Sequence, residues 1–83
     1  MLNEWFKQQV DQLKKNKNWS NEKVACYFGF SRMTLHRYIS GERKIDFDLL
    51  WEICEKISIH NNQETQLIFM EGCLHVMNNK LLQ

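Results

Sequence analysis

The chain has 83 residues, of which 43% are hydrophobic and 12% aromatic, and its net charge is +1. This composition is that of a globular domain and excludes a disordered tail, while the length leaves little volume for an enzyme's cleft. Because the sequence has no proline, only three glycines and long periodic apolar segments, it predicts an all-α fold, a four- to five-helix bundle.

Location and redox state follow from the apolar runs and the cysteines. No apolar run approaches the length of a membrane span, and the first residues, MLNEWFKQQV, lack the hydrophobic core of a signal peptide. We therefore expect a cytoplasmic protein without membrane contact. Cys26, Cys54 and Cys73 are odd in number and widely spaced, so we interpret them as small apolar residues rather than a disulfide framework.

The charge is unevenly distributed along the chain. Residues 1–44 contain nine basic and four acidic residues, a net charge of +5, whereas residues 45–83 contain two basic and six acidic residues, a net charge of −4. This difference is typical of a basic working face with an acidic remainder. An unevenly charged solvated surface is the alternative that charge alone leaves open.

Three helices are predicted in the basic half. The first has apolar residues at helical spacing from Leu2 to Leu13 and ends in KKNKN, whose lysines and asparagines suit a helix C-terminus. Ser20 is a natural N-cap for a second, short helix, which Gly29 ends by offering a positive φ. Ser31 caps a third helix, roughly 32–40, and Gly41 ends it.

The third helix divides into two faces at 100° per residue. The inner face is mainly apolar, and the outer face carries cations. The outer face consists of Arg32, Met33, His36, Arg37 and Ser40, and the inner face of Thr34, Leu35, Tyr38 and Ile39.

Two further helices are predicted in the acidic half. Asp46 or Asp48 caps the fourth, and the polar stretch SIHNNQE from Ser58 predicts a loop before a fifth helix from about Gln63. The inward residues of the fourth helix are predicted to be Leu49, Leu50, Ile53, Cys54 and Ile57.

The fifth helix has more apolar surface than one small domain can cover. One side repeats at alternating spacings of three and four, as in a coiled-coil seam, and a second side is apolar as well. We infer that part of it packs on a second copy or on downstream sequence; the alternative is that it wraps its own domain. The seam is Leu67, Met70, Leu74, Met77 and Leu81, and the second side is Ile68, Phe69, Cys73 and Val76.

The second and third helices together fit a helix-turn-helix. Ala25 is small where the two helices cross, Gly29 follows four residues later, and Leu35 and Tyr38 supply the apolar face of the next helix. In such a motif the second helix projects and its outer face can enter the DNA major groove. The cations of the third helix would then face phosphates.

The stretch WSNEKVACYFGFSRMTLHRYISGERKIDFDLLWEICEKI resembles the lambda-repressor and Cro class of helix-turn-helix domains, over about residues 1–59. Two positions depart from the class, since Asn21 replaces a frequent phosphate-binding glutamine and Ile45 a frequent proline. The resemblance implies a transcription regulator, a repressor in this class, that binds a double-stranded DNA operator as a homodimer. The matching positions are Val24, Ala25, Gly29, Phe30, Ser31, Leu35, Tyr38 and Gly41.

A narrower resemblance covers DFDLLWEICEKISIHNNQETQLIFMEGCLHVMNNK. This stretch is similar to the N-terminal region of phage arbitrium receptors, in which a DNA-binding domain is joined to peptide-sensing helical repeats. It implies a phage regulator whose peptide-sensing C-terminal domain lies outside this chain. We therefore expect a DNA-binding domain in residues 1–60 and, in residues 61–83, a helix that dimerises or leads into another domain.

The resemblance assigns roles to ten residues. Arginine can grip guanine with two hydrogen bonds, methionine can contact a thymine methyl group, and hydroxyl, amide and lysine groups suit phosphates. The base-contacting residues are expected to be Arg32, Met33, His36 and Arg37, and the phosphate-contacting residues Asn21, Ser31, Thr34, Arg43 and Lys44, with Tyr27 as a further backbone contact.

Other functions fit the sequence less well. Trp5, Trp19 and Trp51 are expected to pack in the core rather than to stack on single strands. Cys73 and His75 point about 200° apart on a helix, so no metal site is predicted, and no cofactor or catalytic arrangement is expected. The remaining alternative is a protein-interaction module on the same scaffold, which the apolar Met33 favours.

Overall fold

The computed structural model describes residues 2–61 and 63–81, with side chains up to His60 and from Gln63 to Met77. Its elements are helices, and the described part of the chain contains no strand, so the all-α prediction is confirmed. None of these helices is both long and apolar enough to cross a membrane. They are α1 (Leu2–Lys17), α2 (Asn21–Phe28), α3 (Arg32–Ser40), α4 (Phe47–Asn61) and α5 (Thr65–Leu81).

The chain divides into two compact units. The first, Asn3–Lys44, contains α2, α3 and all but the first residue of α1, and the second contains α4 and α5. In the first unit α1 ends at the asparagine-containing segment, as predicted. Asn18 takes a left-handed φ of 56°, and the Trp19 N–H donates to the Lys14 carbonyl at 3.2 Å. An asparagine tolerates this conformation better than most residues.

The turn between α2 and α3 is a Schellman motif. Gly29 has a φ of 79° and its N–H donates to the Cys26 carbonyl at 3.1 Å, while the Phe30 N–H donates to the Ala25 carbonyl at 2.8 Å. These bonds satisfy carbonyls that the end of a helix leaves without partners. The Ser20 hydroxyl accepts the Lys23 N–H at 3.2 Å and begins α2. The predicted helix-turn-helix is therefore present.

The interior of the first unit combines side chains from its three helices. The Phe6 ring lies edge-on to Phe28 at 5.5 Å and to Tyr38 at 6.5 Å, measured between ring centroids. Ala25 is only 2% exposed, which agrees with its predicted place where a larger side chain would not fit. The buried residues of the unit are Trp5, Phe6, Val10, Leu13, Val24, Ala25, Phe28 and Leu35.

The start of α4 decides between the two predicted caps, and its end differs from the prediction. Asp46 is the cap, because its Oδ1 accepts the Leu49 N–H at 2.8 Å. A loop does precede α5, but its predicted start at Ser58 is wrong: α4 continues to Asn61, and α5 begins at Thr65 instead of about Gln63. The polar Ser58 does not interrupt the helix because its hydroxyl donates to the Glu55 carbonyl three residues earlier.

In the second unit, α5 buries one side and exposes another. On α5, Ile68 is 1% exposed. Of the residues predicted to face inward on α4, only Leu49 is half-buried rather than buried. The buried residues of α4 and of the segment before it are Ile45, Leu50, Ile53, Cys54 and Ile57. The described seam residues of α5 are exposed, at 52% for Leu67, 57% for Met70, 51% for Leu74 and 57% for Met77. The predicted seam position Leu81 lies outside the described side chains.

The three tryptophans behave differently. Trp5 is buried, as predicted, and Trp19 is half-buried. The core prediction is wrong for Trp51, which is 38% exposed and packs edge-on against Phe69 at 5.4 Å. Trp51 lies next to the buried Leu50 on the helix, one position outside the inward stripe, so that only part of its large ring is covered.

Candidate nucleic-acid interface

The two faces of α3 lie as the periodicity predicted. Leu35 is 1% exposed, whereas Met33, on the other side of the helix, is 63% exposed. The inner residues Thr34, Tyr38 and Ile39 are half-buried. The exposed residues of the outer face are Arg32, Met33, His36, Arg37 and Ser40.

The N-terminus of α3 is fixed by two neighbouring hydroxyl groups. The Ser31 Oγ accepts the Thr34 N–H at 3.1 Å and donates to the Thr34 Oγ1 at 2.9 Å. This capping holds the first turn in place, and N–H groups in the first turn of a helix are suitable partners for an anion. Ser31 itself is exposed, so its environment is open to a backbone phosphate.

Two outer residues of α3 contact each other. The Arg37 Nη2 donates to the Met33 Sδ at 3.4 Å, one helical turn away. A thioether sulfur is a weak acceptor, so this contact orients the guanidinium without occupying its remaining donors. Arg37 therefore keeps the planar set of N–H groups with which arginine binds guanine or phosphate.

An open hollow of about 560 Å³ lies between the start of α2 and the outer face of α3. Asn21, at the first position of α2, borders it together with Arg32 and His36. An amide, a guanidinium and an imidazole around one concavity offer several hydrogen-bond donors of the kind that bind phosphate oxygens. The residues that line the hollow are Asn21, Arg32, Met33, Leu35, His36 and Ile39.

The turn after α3 is held in place by four contacts. The Arg43 N–H donates to the Arg37 carbonyl at 3.2 Å, and the Arg43 guanidinium lies 5.7 Å from the centre of the Tyr38 ring. The Asn3 side chain donates to the Tyr38 and Arg43 carbonyls, each at 2.7 Å. These contacts fix the backbone of the turn, in which Arg43 and Lys44 are exposed.

Asn3 is a functional candidate that the sequence did not reveal. Its carbonyl partners are 35 and 40 residues away along the chain, and no periodicity or local motif joins such distant positions. For a polar residue at the start of an amphipathic helix, the sequence pattern predicts only a solvent-exposed side chain.

Tyr27 lies on α2, away from the hollow. Its ring centroid is 5.3 Å from that of Trp19 and 5.4 Å from that of Phe28, and Lys23 places its Nζ 5.5 Å from the centre of the Trp19 ring. Partial burial raises the pKa of the Tyr27 hydroxyl, so this group stays a neutral hydrogen-bond donor at physiological pH. The predicted backbone contact by Tyr27 is thus separate from the cluster on α3.

Among the described residues, no carboxylate pairs with the cations of this surface. Within residues 2–61 and 63–81, none of Arg32, Arg37, Arg43 and Lys44 forms an ion pair with a carboxylate. The same part of the chain contains no cluster of three or more histidine, cysteine or acidic side chains suited to a metal ion. The described side chains of this surface therefore offer hydrogen-bond donors and positive charge.

Comparison with known proteins agrees with this geometry. A family model described as helix-turn-helix, of the XRE and lambda-repressor type, matches residues 10–60, well over half of the chain. No curated protein and no solved structure matches the chain significantly, and the narrower resemblance to arbitrium receptors gains no support. The matched region contains α2, the Gly29 turn and α3, and all ten predicted contact residues lie within it. The chain therefore belongs to the helix-turn-helix family of XRE and lambda-repressor type, a family of DNA-binding domains of transcription regulators.

Proposed function

We propose that this protein is a sequence-specific regulator of phage or bacterial transcription that places α3 in the major groove of double-stranded DNA. The observation that carries the proposal is the outer face of α3, where Arg32, His36 and Arg37 are exposed and the two arginines have no carboxylate partner among the described residues. A face of this chemistry matches the acceptor-rich edges of bases and the phosphates that border the groove.

The residues divide into two roles. Arg32, Met33, His36 and Arg37 read base edges, and the Met33–Arg37 contact holds the guanidinium before DNA arrives. The backbone of the duplex is bound by the α2 and α3 N-termini and by the turn that Asn3 fixes. The proposed phosphate-contacting residues are Asn21, Tyr27, Ser31, Thr34, Arg43 and Lys44.

We further propose that the protein acts as a homodimeric repressor. Residues 1–60 would form the DNA-binding domain and residues 61–83 a helix that serves dimerisation. A homodimer matches a two-fold operator whose half-sites are about one or two helical turns apart. The peptide-sensing domain implied by the narrower resemblance is the most specific part of this proposal, and sequencing of the gene that encodes this chain tests it.

The experiment is binding of the chain to random-sequence duplex DNA, measured by fluorescence anisotropy across a salt series. For the wild-type protein we expect weak binding that decreases steeply with salt, since each phosphate contact contributes a slope of about −0.9 in log K against log salt. In the double variant Arg32→Ala/Arg37→Ala we expect weaker binding and a slope reduced by about one to two, because on random-sequence DNA the two arginines act as cations near the phosphates rather than as readers of particular bases.

The matched control is Lys7→Ala/Lys15→Ala, which removes the same charge from exposed positions of α1. If α3 is the interface, the control keeps most of the affinity that the arginine variant loses. Equal losses in both variants would mean that only overall charge matters, and would contradict the assignment of α3. The absence of binding at low salt would instead favour a protein-interaction module, for which the exposed Met33 would be an apolar contact.

A further inference from the structure

We propose that the exposed face of α4 is a docking surface for a basic amphipathic helix of another protein. The face has two adjacent stripes, an aromatic stripe of Phe47 and Trp51 and an acidic stripe of Asp48, Glu52 and Glu55, and all five residues are exposed. None of them belongs to the proposed DNA-contacting set. The inference therefore goes beyond DNA binding, and it is tested without DNA.

The aromatic stripe is exposed although its rings are held in place. Phe47 is 67% exposed and Trp51 is 38% exposed. Both rings pack on the ring of Phe69 from α5, with centroid distances of 6.3 and 5.4 Å. Single apolar side chains are normal on a protein surface, but adjoining rings form a patch, and apolar patches rimmed by polar residues mark contact sites. Because Phe69 supports the two rings before a partner arrives, binding loses less side-chain entropy.

Both stripes follow the period of the helix. The two rings are four residues apart, and the three carboxylates follow one another at steps of four and three. At 100° per residue each set therefore keeps to one side of α4, and the centres of the two stripes differ by about 90°. A helix that packs alongside α4 presents side chains at the same spacing, whereas an extended segment, with a period of two, does not.

The acidic stripe determines the charge of the partner. Within residues 2–61 and 63–81, none of the carboxylates of Asp48, Glu52 and Glu55 forms an ion pair, so lysines or arginines of a partner would not have to displace a cation of this chain. A cation near the Trp51 ring would also gain a cation–π contact. Lys56 of α4 is half-buried and lies on the side of the stripe away from the rings.

The same charges exclude other classes of partner. Carboxylates repel the phosphates of nucleic acids and of anionic membrane surfaces, so neither matches this face. The described part of the chain has no cluster of histidine, cysteine and acidic side chains suited to a metal ion. The two rings expose roughly 230 Å² of apolar surface, far less than the ~800 Å² that each partner buries in a stable complex, so the contact is a transient one.

The test is a titration of the 83-residue chain, labelled with ¹⁵N, with a synthetic helical peptide, followed by the amide chemical shifts. The peptide carries two leucines four residues apart and, on the adjacent side, lysines at steps of four and three, which complements the two stripes. We expect saturable binding with a Kd of roughly 10–100 μM and shifts concentrated on α4. A peptide with glutamate in place of each lysine should not bind.

The charge variant is Glu52→Gln/Glu55→Gln. It should raise the Kd for the lysine peptide about fivefold, because two exposed ion pairs are lost. The matched control Asp11→Asn/Glu22→Gln removes the same charge from exposed positions of α1 and α2, and it should change the Kd by less than about twofold. Equal losses in the two variants would mean that only overall charge matters, and would overturn the proposal.

The aromatic variant is Phe47→Ala, which should raise the Kd by at least about fivefold because the exposed ring no longer covers the leucines of the peptide. Its control is Met33→Ala, which shortens a side chain of similar exposure, 63%, on α3 and should bind like the wild type. The amide spectrum of each variant shows at the same time that the chain is folded. The absence of saturable binding to the wild-type chain up to about 1 mM peptide, or shifts that leave α4 unchanged, would also overturn the assignment of this face.

Discussion

The side-chain amide of Asn3 donates a hydrogen bond to the main-chain carbonyl of Tyr38 at 2.7 Å. It donates a second one, of the same length, to the carbonyl of Arg43. The first residues of α1 are thereby joined to the end of α3 and to the basic turn that follows. The Tyr38 carbonyl also accepts the Gly41 N–H, but at the longer distance of 3.4 Å, so Asn3 adds a closer donor at the end of α3.

Replacing Asn3 with alanine should therefore reduce the free energy of unfolding by about 1–2 kcal/mol, since two carbonyls lose their side-chain donor. Urea denaturation measures this change. The control Gln8→Ala removes an exposed amide from the same helix and should alter stability by no more than about 0.5 kcal/mol. Equal effects of the two substitutions would show that the Asn3 contacts do not contribute.

Gly29 is the second position with a defined expectation. Its φ of 79° is unfavourable for a side chain, but no atom lies within 4 Å of where a Cβ would be. Gly29→Ala should consequently destabilise the protein by about 1–2 kcal/mol through backbone strain alone, and Gly29→Asn should do so less, because asparagine tolerates this conformation. Thermal unfolding of the two variants compares them, and a larger loss for asparagine would argue against strain as the cause.

The two aspartates near the start of α4 should also differ. Asp46 accepts the Leu49 N–H at 2.8 Å, so Asp46→Ala is expected to lower the unfolding free energy by about 1 kcal/mol. Asp48 lies in the first turn, where its charge interacts favourably with the helix dipole, and Asp48→Ala should lower it by only a few tenths of a kcal/mol. Urea denaturation of the pair checks this order, which would be reversed if Asp48 were the cap.

The thiol of Cys54 should resist alkylation. Its burial, followed by the nearby Cys73 and Glu71, raises the pKa of this thiol from 9.0 to about 12. Only the thiolate reacts, so at pH 8 about one molecule in ten thousand is ionised at this position, and reactivity should appear only as the pH approaches the raised value. Mass spectrometry after brief iodoacetamide treatment should find the exposed Cys26 modified and Cys54 intact.

Labelling in urea provides the control for that experiment, because all three cysteines should react once the chain is unfolded. Modification of Cys54 as fast as that of Cys26 in the native protein would contradict its burial.

What could be predicted from the sequence was mostly local. Ser20, Ser31 and the glycines at 29 and 41 act on their own helix ends, so their residue types sufficed to predict where α2 and α3 begin and end. The two faces of α3 followed from the helical period for the same reason. Ser58 misled the prediction because a polar stretch resembles a loop, although its hydroxyl has a partner inside the helix.

The remaining features depend on contacts between distant segments. The bonds of Asn3 and the stacking of the Arg43 guanidinium on Tyr38 arise only when the chain has folded. The hollow between the start of α2 and α3 likewise depends on how the two helices cross. Most of the residues around the hollow could be predicted from the helical pattern of α3. The contacts that hold the basic turn with Arg43 and Lys44 in place could not be predicted.

The absence of carboxylate partners for the described cations of α3 and the turn also affects how fast DNA is found. Charges that are not neutralised locally create a field that extends about one Debye length, roughly 10 Å at 0.1 M salt, into the solvent. A duplex is attracted at this range before any base is read, so the encounter rate itself should decrease as salt rises. The same attraction is independent of sequence, and it would let the protein slide along DNA between sites.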